Sequence, residues 1–424
     1  MDYDVVIAGG GTAGCSCAYN CARLGLKTLL IEIESYLGGS MTGGLVVPIM
    51  KSGENQINTD FYNLLINEMS KVNAQVTYQN NPGWFNPIIL KDVLYKILSN
   101  AKVDIKFNTC ITHAEIKNNK ILSVYTNTIH TDNIREILSV CIGAKYYVDS
   151  TGNLEFSKKI NCNFLKNYNE LPPISLRFIM GGVDNYKFAK WIQEYDTDRD
   201  VTTIENIDGE YYFSTAYTWD TNKHWALATL FNDAVSKNIL KDTDRNYFQI
   251  FSIAGRPNLV AFNCPRLLNS YNLENINEIN RAKTDGACAI ARIAKFCNLY
   301  LPGFENAYIT NIADILGIRS YRRIKGKYIY TIDDLRSGKK FDNPVLISNY
   351  PVDIHSKDKN SSTLEMTGEY QLPIESLMSI DYNNLLVAGR GLSADEMAQG
   401  ALRVQSSCFS MGEAVAKYIH KKLT

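Results

Sequence analysis

Short runs of apolar residues alternate along the chain with stretches in which apolar positions recur every three or four residues. Val5-Val-Ile-Ala8 is continuous and ends in glycine, the pattern of a strand buried on both faces. Ala13 to Gly25 then reads as a helix rich in small residues, and Lys27 to Ile31 as a second buried strand ending at Glu32. Gly38–Gly44 reads as loop. Phe61–Val72 and Ile88–Leu98 carry helical spacing, with Pro87 well placed at a helix start. Val103–Asn108 reads as a strand, Ile111–Ile116 and Lys120–Thr126 as a hairpin about Asn118-Asn119, and Ala144–Asp149 as a further strand. Past Gly152 the texture changes. Ile174–Gly182, Tyr211–Thr218, Trp225–Phe231 and Leu259–Asn263 predict strands of an antiparallel sheet, Asn277–Cys297 a helix, and Asn306–Leu316 a second helical stretch. The opening style returns at Asn384–Gly391, a buried strand running into glycine, followed by a helix reaching about His420. The expected fold is therefore α/β. A discontinuous first domain spans residues 1–160 and 345–424, and an α+β domain of residues 161–344 is inserted into it.

Size and charge narrow the function. A chain of 424 residues is long for one core, at about 150 residues per domain. Its 44 Lys and Arg balance 44 Asp and Glu, so no basic excess favours nucleic acid. No charged and apolar leader precedes the first strand, and no apolar run approaches the roughly 18 residues that span a bilayer. A cytoplasmic protein with a small-molecule partner is expected, without membrane or nucleic acid, and with homo-oligomerisation open. Ten cysteines are scattered without a C-x-x-C pair. Cys15, Cys17 and Cys21 crowd the first helix, but their spacing fits neither common iron–sulfur pattern, and small residues suit a helix lying on a sheet. No metal site is expected.

The chemistry is concentrated in Gly9-x-Gly11-x-x-Gly14. Gly9 permits a tight turn, Gly11 lets backbone approach a pyrophosphate, and Gly14 lets helix and strand pack closely. The helix start at Thr12 and Ala13 offers unpaired N–H groups and a positive dipole end. Glu32, eighteen positions past Gly14, stands near the spacing of a ribose-binding acid. A turn that merely needs glycines would leave Glu32 unexplained. An ADP-containing cofactor is expected.

Further blocks follow in order: Leu37-Gly-Gly-Ser-Met-Thr-Gly-Gly-Leu45, Val148-Asp-Ser-Thr-Gly-Asn153, Leu316-Gly-Ile-Arg-Ser-Tyr-Arg-Arg-Ile-Lys-Gly326, Tyr350-Pro-Val-Asp-Ile-His355, and Leu385-Leu-Val-Ala-Gly-Arg390 through Arg403-Val404 to Gly412-Glu413-Ala414. With these the chain resembles, over nearly its whole length, the FAD-dependent oxidoreductase family of the two-dinucleotide-binding-domain flavoproteins, which also hold the fumarate reductase flavoproteins and glutathione reductase. Asn153 departs from an often acidic position and Tyr321 from a small hydroxyl. The resemblance implies a Rossmann-like FAD-binding domain of the glutathione-reductase type with an inserted substrate or cap domain. It implies FAD, held without a covalent link because Ser40-Met41-Thr42 offers no histidine. It further implies that Gly39, Ser40, Met41 and Thr42 wrap the pyrophosphate and ribityl region and that Ile111 meets adenine through its backbone. Thr151, Gly152, Gly389 and Arg390 would meet the cofactor at strand ends, and Gly400, Arg403 and Val404 would sit where the last helix points at the flavin pyrimidine. The residues agree with FAD over NAD, since glycine-bearing strand ends recur at Gly152 and Gly389 and a long cofactor crosses several such ends.

Three groups are candidates for catalysis. His355 could face the pocket as acid or base, or fix its loop. Arg319 could clamp a carboxylate or act as an acid, or join the domains by an ion pair. If its segment is extended, Arg319 and Arg323 share one face and Arg322 takes the other. Arg403 could approach the flavin O2 or the substrate. Tyr321 and His224-Trp225 are possible pocket walls. The expected function is hydride transfer between a small organic molecule and flavin N5. A redox subunit serving a protein partner and a non-redox flavoprotein such as a tRNA-modifying type remain alternatives. A plain NAD dehydrogenase would be the fallback among enzymes. No motif names the substrate.

Overall fold

A computed structural model describes residues 2–129, 137–166, 172–218, 225–355, 361–364, 366 and 368–424, with backbone alone at 129, 137–138, 217–218, 354–355 and 361–364. The first strand, Tyr3–Ala8, lies between parallel neighbours Thr28–Ile31 and Ile137–Asp149. Asp104–Lys106 extends this sheet on one side and Leu385–Val387 on the other. Strand order thus departs in opposite directions from Tyr3–Ala8, creating the switch point at which α/β sheets leave a crevice. The first half of Ile137–Asp149 pairs antiparallel with Lys120–Ile129, which in turn pairs with Thr109–Lys117 through a turn at Asn118-Asn119, both with positive φ.

The first helix, Thr12–Arg23, and the last, Gln405–Leu423, pack on one another over this sheet. They meet on small residues, Gly412 lying against Ala13, Ser16 and Cys17. A Cβ on Gly412 would stand 2.2 Å from the Ala13 carbonyl oxygen. Cys17 lies at this close approach, and all three cysteines of the first helix are buried.

The second sheet has six strands in the order Thr202–Ile207, Glu210–Thr218, Tyr247–Ile253, Arg256–Phe262, Phe178–Gly181, Tyr308–Ile312, all antiparallel. Helices Asn185–Tyr195, Ala228–Ser236 and Ile276–Tyr300 accompany it. Its core is aromatic: Phe248 lies among Phe231, Phe262 and Phe296, with ring centroids 5.2, 6.1 and 6.5 Å away. Among the described residues no helix is long and apolar enough to cross a membrane.

Two expected elements are different. Trp225–Phe231, read as a strand, leads into the helix Ala228–Ser236. Leu227, Phe231 and Ala234 are its buried positions, an i, i+4, i+7 spacing that the short apolar run concealed. Asn306–Leu316, read as helical, holds instead the edge strand Tyr308–Ile312. Its Tyr-Ile-Thr-Asn-Ile composition suits a pleated strand, and the apolar spacing that mimicked a helix faces outward.

Candidate active site

The carboxyl ends of the parallel strands open onto one cavity of about 810 Å³. Ala8-Gly9, Ile31-Glu32, Ser150-Thr151 and Ala388-Gly389 all reach it. Gly9 has a φ of +96° and carries its oxygen against Gly14, where any Cβ would lie 1.8 Å from that oxygen. The turn and the helix start are therefore fixed by close backbone contact. Gly11 caps the first helix without any side-chain bond, and Thr12 and Ala13 line the cavity beside it. A Cβ on Gly11 would meet only the Gly39 Cα, at 3.9 Å, so these glycines bound a clear groove. Open N–H groups at a helix start beside such a groove fit a pyrophosphate.

Glu32 lines the same end. Its carboxylate accepts from the Gly10 N–H at 2.6 Å and the Glu34 N–H at 2.9 Å, and burial pushes its pKa up despite those bonds. Ile111 and Thr109 form the wall nearby. At the next strand end, buried Asp149 accepts from both the N–H and hydroxyl of Thr151 and of Ser157, fixing the Thr151-Gly152 turn. Burial nonetheless raises its pKa. Arg390 donates to Gly152 O, Asn153 Oδ1 and Ile318 O, which ties two strand ends to the segment leading into Arg319.

The opposite wall comes from the second sheet and its surroundings. Arg177, Arg266 and Arg319 line it, and Arg403 joins them from the turn between Glu396–Leu402 and the last helix. Arg319 Nη1 donates to Pro173 O at 2.9 Å. Arg403 Nη2 donates to the Asp353 carbonyl at 3.1 Å and approaches its carboxylate at 3.5 Å. Burial first, then the charges of Arg266, Arg177 and Arg403, pull the Arg319 pKa well below its ordinary value. Tyr247, Gln249 and Asn263 stand beside them in one hydrogen-bonded group.

Most residues singled out in the sequence reach this cavity; some do not. Gly39, Ser40 and Val404 line it. Gly14, Met41 and Thr42 do not: Gly14 packs on Gly9, Met41 is buried, and the Thr42 hydroxyl closes the loop onto Leu37 O at 2.6 Å. Gly400 is displaced from the expected position. It lies inside the short helix Glu396–Leu402, where a Cβ would stand 3.2 Å from Asp353 O; the last helix begins only at Gln405, capped by Val404. Of the clustered arginines Arg319 alone faces the cavity. Arg323 is buried elsewhere, donating to Ala394 O and Lys166 O, and Arg322 pairs with Glu155 and Glu274 outside. Tyr321 also binds Glu274 and is no pocket wall. His355 lies in a short strand paired at Ser361, but its side chain, like His130 and His224, falls outside the described residues. Arg177, Arg266, Tyr247, Gln249, Asn263 and Asp353 were missed. A lone arginine inside the apolar run Ile174–Gly182 was the available signal for Arg177.

A 39-residue stretch is 55 % identical to nicotine dehydrogenase of Pseudomonas putida, covering 9 % of this chain and 8 % of that one. A 51-residue stretch is 39 % identical to a putative bifunctional amine oxidase of Dictyostelium discoideum, covering 12 % and 5 %. The chain thus spans only a small part of either curated relative. A geranylgeranyl bacteriochlorophyll reductase-like protein of Thermoplasma acidophilum superposes with a TM-score of 0.48 at 14 % identity, over 99 % of this chain and 78 % of that one. The family described as FAD dependent oxidoreductase matches residues 4–421. That match takes in both sheets and every wall of the cavity, and the protein belongs to this family of FAD-dependent enzymes.

Proposed function

We propose that the protein moves a hydride between a small organic molecule and its FAD, which is held without a covalent bond. The observation that carries this reading is the single cavity joining glycine-lined strand ends to a wall of arginine and tyrosine. FAD, when bound, supplies the site that accepts or gives the hydride. The chain's own groups do the rest. Gly9, Gly11, Thr12 and Ala13 would hold the pyrophosphate, Glu32 the ribose, and Ile111 the adenine. Gly39 and Ser40 would follow the cofactor, with Met41 and Thr42 holding their loop in shape. Thr151, Gly152, Gly389 and Arg390 would bound its middle. Val404 and the first N–H groups of the last helix would hold negative charge at the far end, where a helix start stabilises it without reorganising. Gly400 would act indirectly, seating its short helix against the Asp353 backbone.

Arg319 is our candidate acid. Its buried, repelled guanidinium gives up an Nη proton to a substrate being reduced more readily than an exposed one would, and its neutral form would take that proton back when substrate is oxidised and FAD reduced. Arg403 would orient the substrate, and His355 remains a candidate proton carrier on the neighbouring strand. We read residues 1–160 and 345–424 as the cofactor domain and 161–344 as the substrate domain, because the two sheets draw on those segments.

The test is anaerobic mixing of FAD-loaded protein with organic acids, alcohols and amines while the visible flavin band is followed. Substrate alone should bleach the band, and Arg319→Gln should slow bleaching at least about 100-fold. Bleaching that requires a protein electron carrier would overturn the reading.

A further inference from the structure

We infer that the molecule accepted by this cavity is a small organic acid, its carboxylate held among Arg177, Arg266, Arg319 and Arg403. The inference rests on the proposed redox site and names its substrate class. Four guanidinium groups line one wall. They come from separate places in the chain: the connection between Ile174–Ser175 and Phe178–Gly181, the strand Arg266–Leu267, the irregular segment after Gly317, and the turn before the last helix. None belongs to the glycine turn or the first helix, so they are not part of the pyrophosphate groove.

Arg177 and Arg319 are buried, and all four repel one another across the cavity. Burial together with that repulsion lowers the Arg177 pKa to about 10 and that of Arg266 in the same direction. Asp353 is the carboxylate among the described lining residues that acts on them, and it already receives Arg403. Glu32, Glu34 and Glu155 line other parts of the cavity, at the ends of the parallel strands. Among the described residues positive charge thus exceeds negative along this wall. A fold bears that excess at a cost, which a bound anion offsets.

The wall is also built for orientation. The Arg177 Nε donates to Asn263 Oδ1 at 2.6 Å, which aims the outer edge of its guanidinium. Asn263 Nδ2 in turn reaches Gln249 Oε1 at 2.5 Å and the Tyr247 hydroxyl at 3.1 Å. The Arg266 guanidinium lies over the Tyr247 ring, 3.6 Å from its centroid, a stacked pose that fixes the plane of its fork. Planar forks held in this way match a carboxylate.

The experiment titrates FAD-loaded protein with succinate, with its uncharged diamide succinamide, and with inorganic phosphate. Calorimetry and the perturbation of the oxidised flavin band both report binding without turnover. Succinate should bind, succinamide should bind at least about tenfold more weakly, and added salt should weaken succinate alone. Arg177→Gln should lose at least about tenfold in succinate affinity while Arg177→Lys recovers part of it, and Arg23→Gln, exposed at the far end of the first helix, should change nothing. Equal binding of succinate and succinamide, no binding of succinate, or tighter binding of phosphate would overturn the inference. The comparison of ligands on the unaltered protein decides the matter even if the variants fail to fold. Succinate that binds while no compound bleaches the flavin would leave the anion site standing and remove the hydride reading. Neutral compounds that bleach the flavin without competition from acids would do the reverse.

Discussion

The two sheets are stabilised in opposite ways. Around the first strand, helices and strands approach until backbone touches backbone: Gly14 lies against the Gly9 carbonyl and Gly412 against that of Ala13, while the Ser16 hydroxyl donates to Phe409 O at 2.7 Å. In the six-stranded sheet the elements stand apart and rings fill the space. Phe178 stacks on Phe262 at 4.2 Å, and Phe188 meets Phe213 at 4.7 Å and Phe304 at 5.2 Å. The first core has no room for an added atom, and the second has no spare volume to lose. The difference follows from what each holds. A cofactor read by backbone N–H groups needs backbone placed closely, whereas a wall of side chains needs only a firm mass behind it.

Deleting a ring should have the largest effect. Phe248→Ala removes a fully buried phenyl from the centre of the aromatic core, and about 3–5 kcal/mol of stability should go with it in a urea melt. The fraction that remains folded should still retain FAD, since the parallel sheet is untouched. Adding a methyl should do less to stability and more to the cofactor. Gly412→Ala forces the last helix off the Ala13 backbone. The usual overpacking cost of about 1–3 kcal/mol is partly offset by about 1 kcal/mol of helical preference for alanine, leaving up to about 2 kcal/mol. FAD affinity, measured by titrating apoprotein, should fall because the first helix start and Val404 separate. If Gly412→Ala bound FAD normally and Phe248→Ala did not, the contrast between the two cores would be wrong.

The smallest effect lies outside both cores, at Glu274. Burial raises its pKa, but hydrogen bonds from Lys158, Tyr321 and Arg322 outweigh this and bring it down to about 2 from the ordinary 4.5. A carboxyl held low in the folded state adds stability that is present above 4.5 and is lost as pH falls toward about 2. Because the group is well exposed, solvent screening should keep the increment under about 1 kcal/mol. Melts across that interval should show it in the parent protein and lack it in Glu274→Gln.

The same contrast explains what could be read from the sequence. The glycine turn, the first helix and the Gly152 and Gly389 strand ends are local in the chain, and backbone approach demands glycine at fixed offsets. The arginine wall has no such signature. Arg177, Tyr247, Gln249, Asn263 and Arg266 meet because antiparallel pairing brings Phe178–Gly181, Tyr247–Ile253 and Arg256–Phe262 side by side, and long-range register leaves little local trace. Trp225–Phe231 and Asn306–Leu316 misled for a related reason. Runs that short fit a helix or a strand, and only their neighbours decide. Gly400 was read as the turn before the last helix because the true break, at Arg403, carries neither proline nor glycine.

Arg390 gives the arrangement a mechanical character. A single part-buried side chain at one strand end, with two acceptors on a second strand end and one on the segment that leads into Arg319, acts as a pin between them. Thermal excursions of the arginine wall relative to the strand ends must bend or break that pin. Donor and acceptor atoms placed on its two sides are therefore spaced by a fixed part rather than by chance settling.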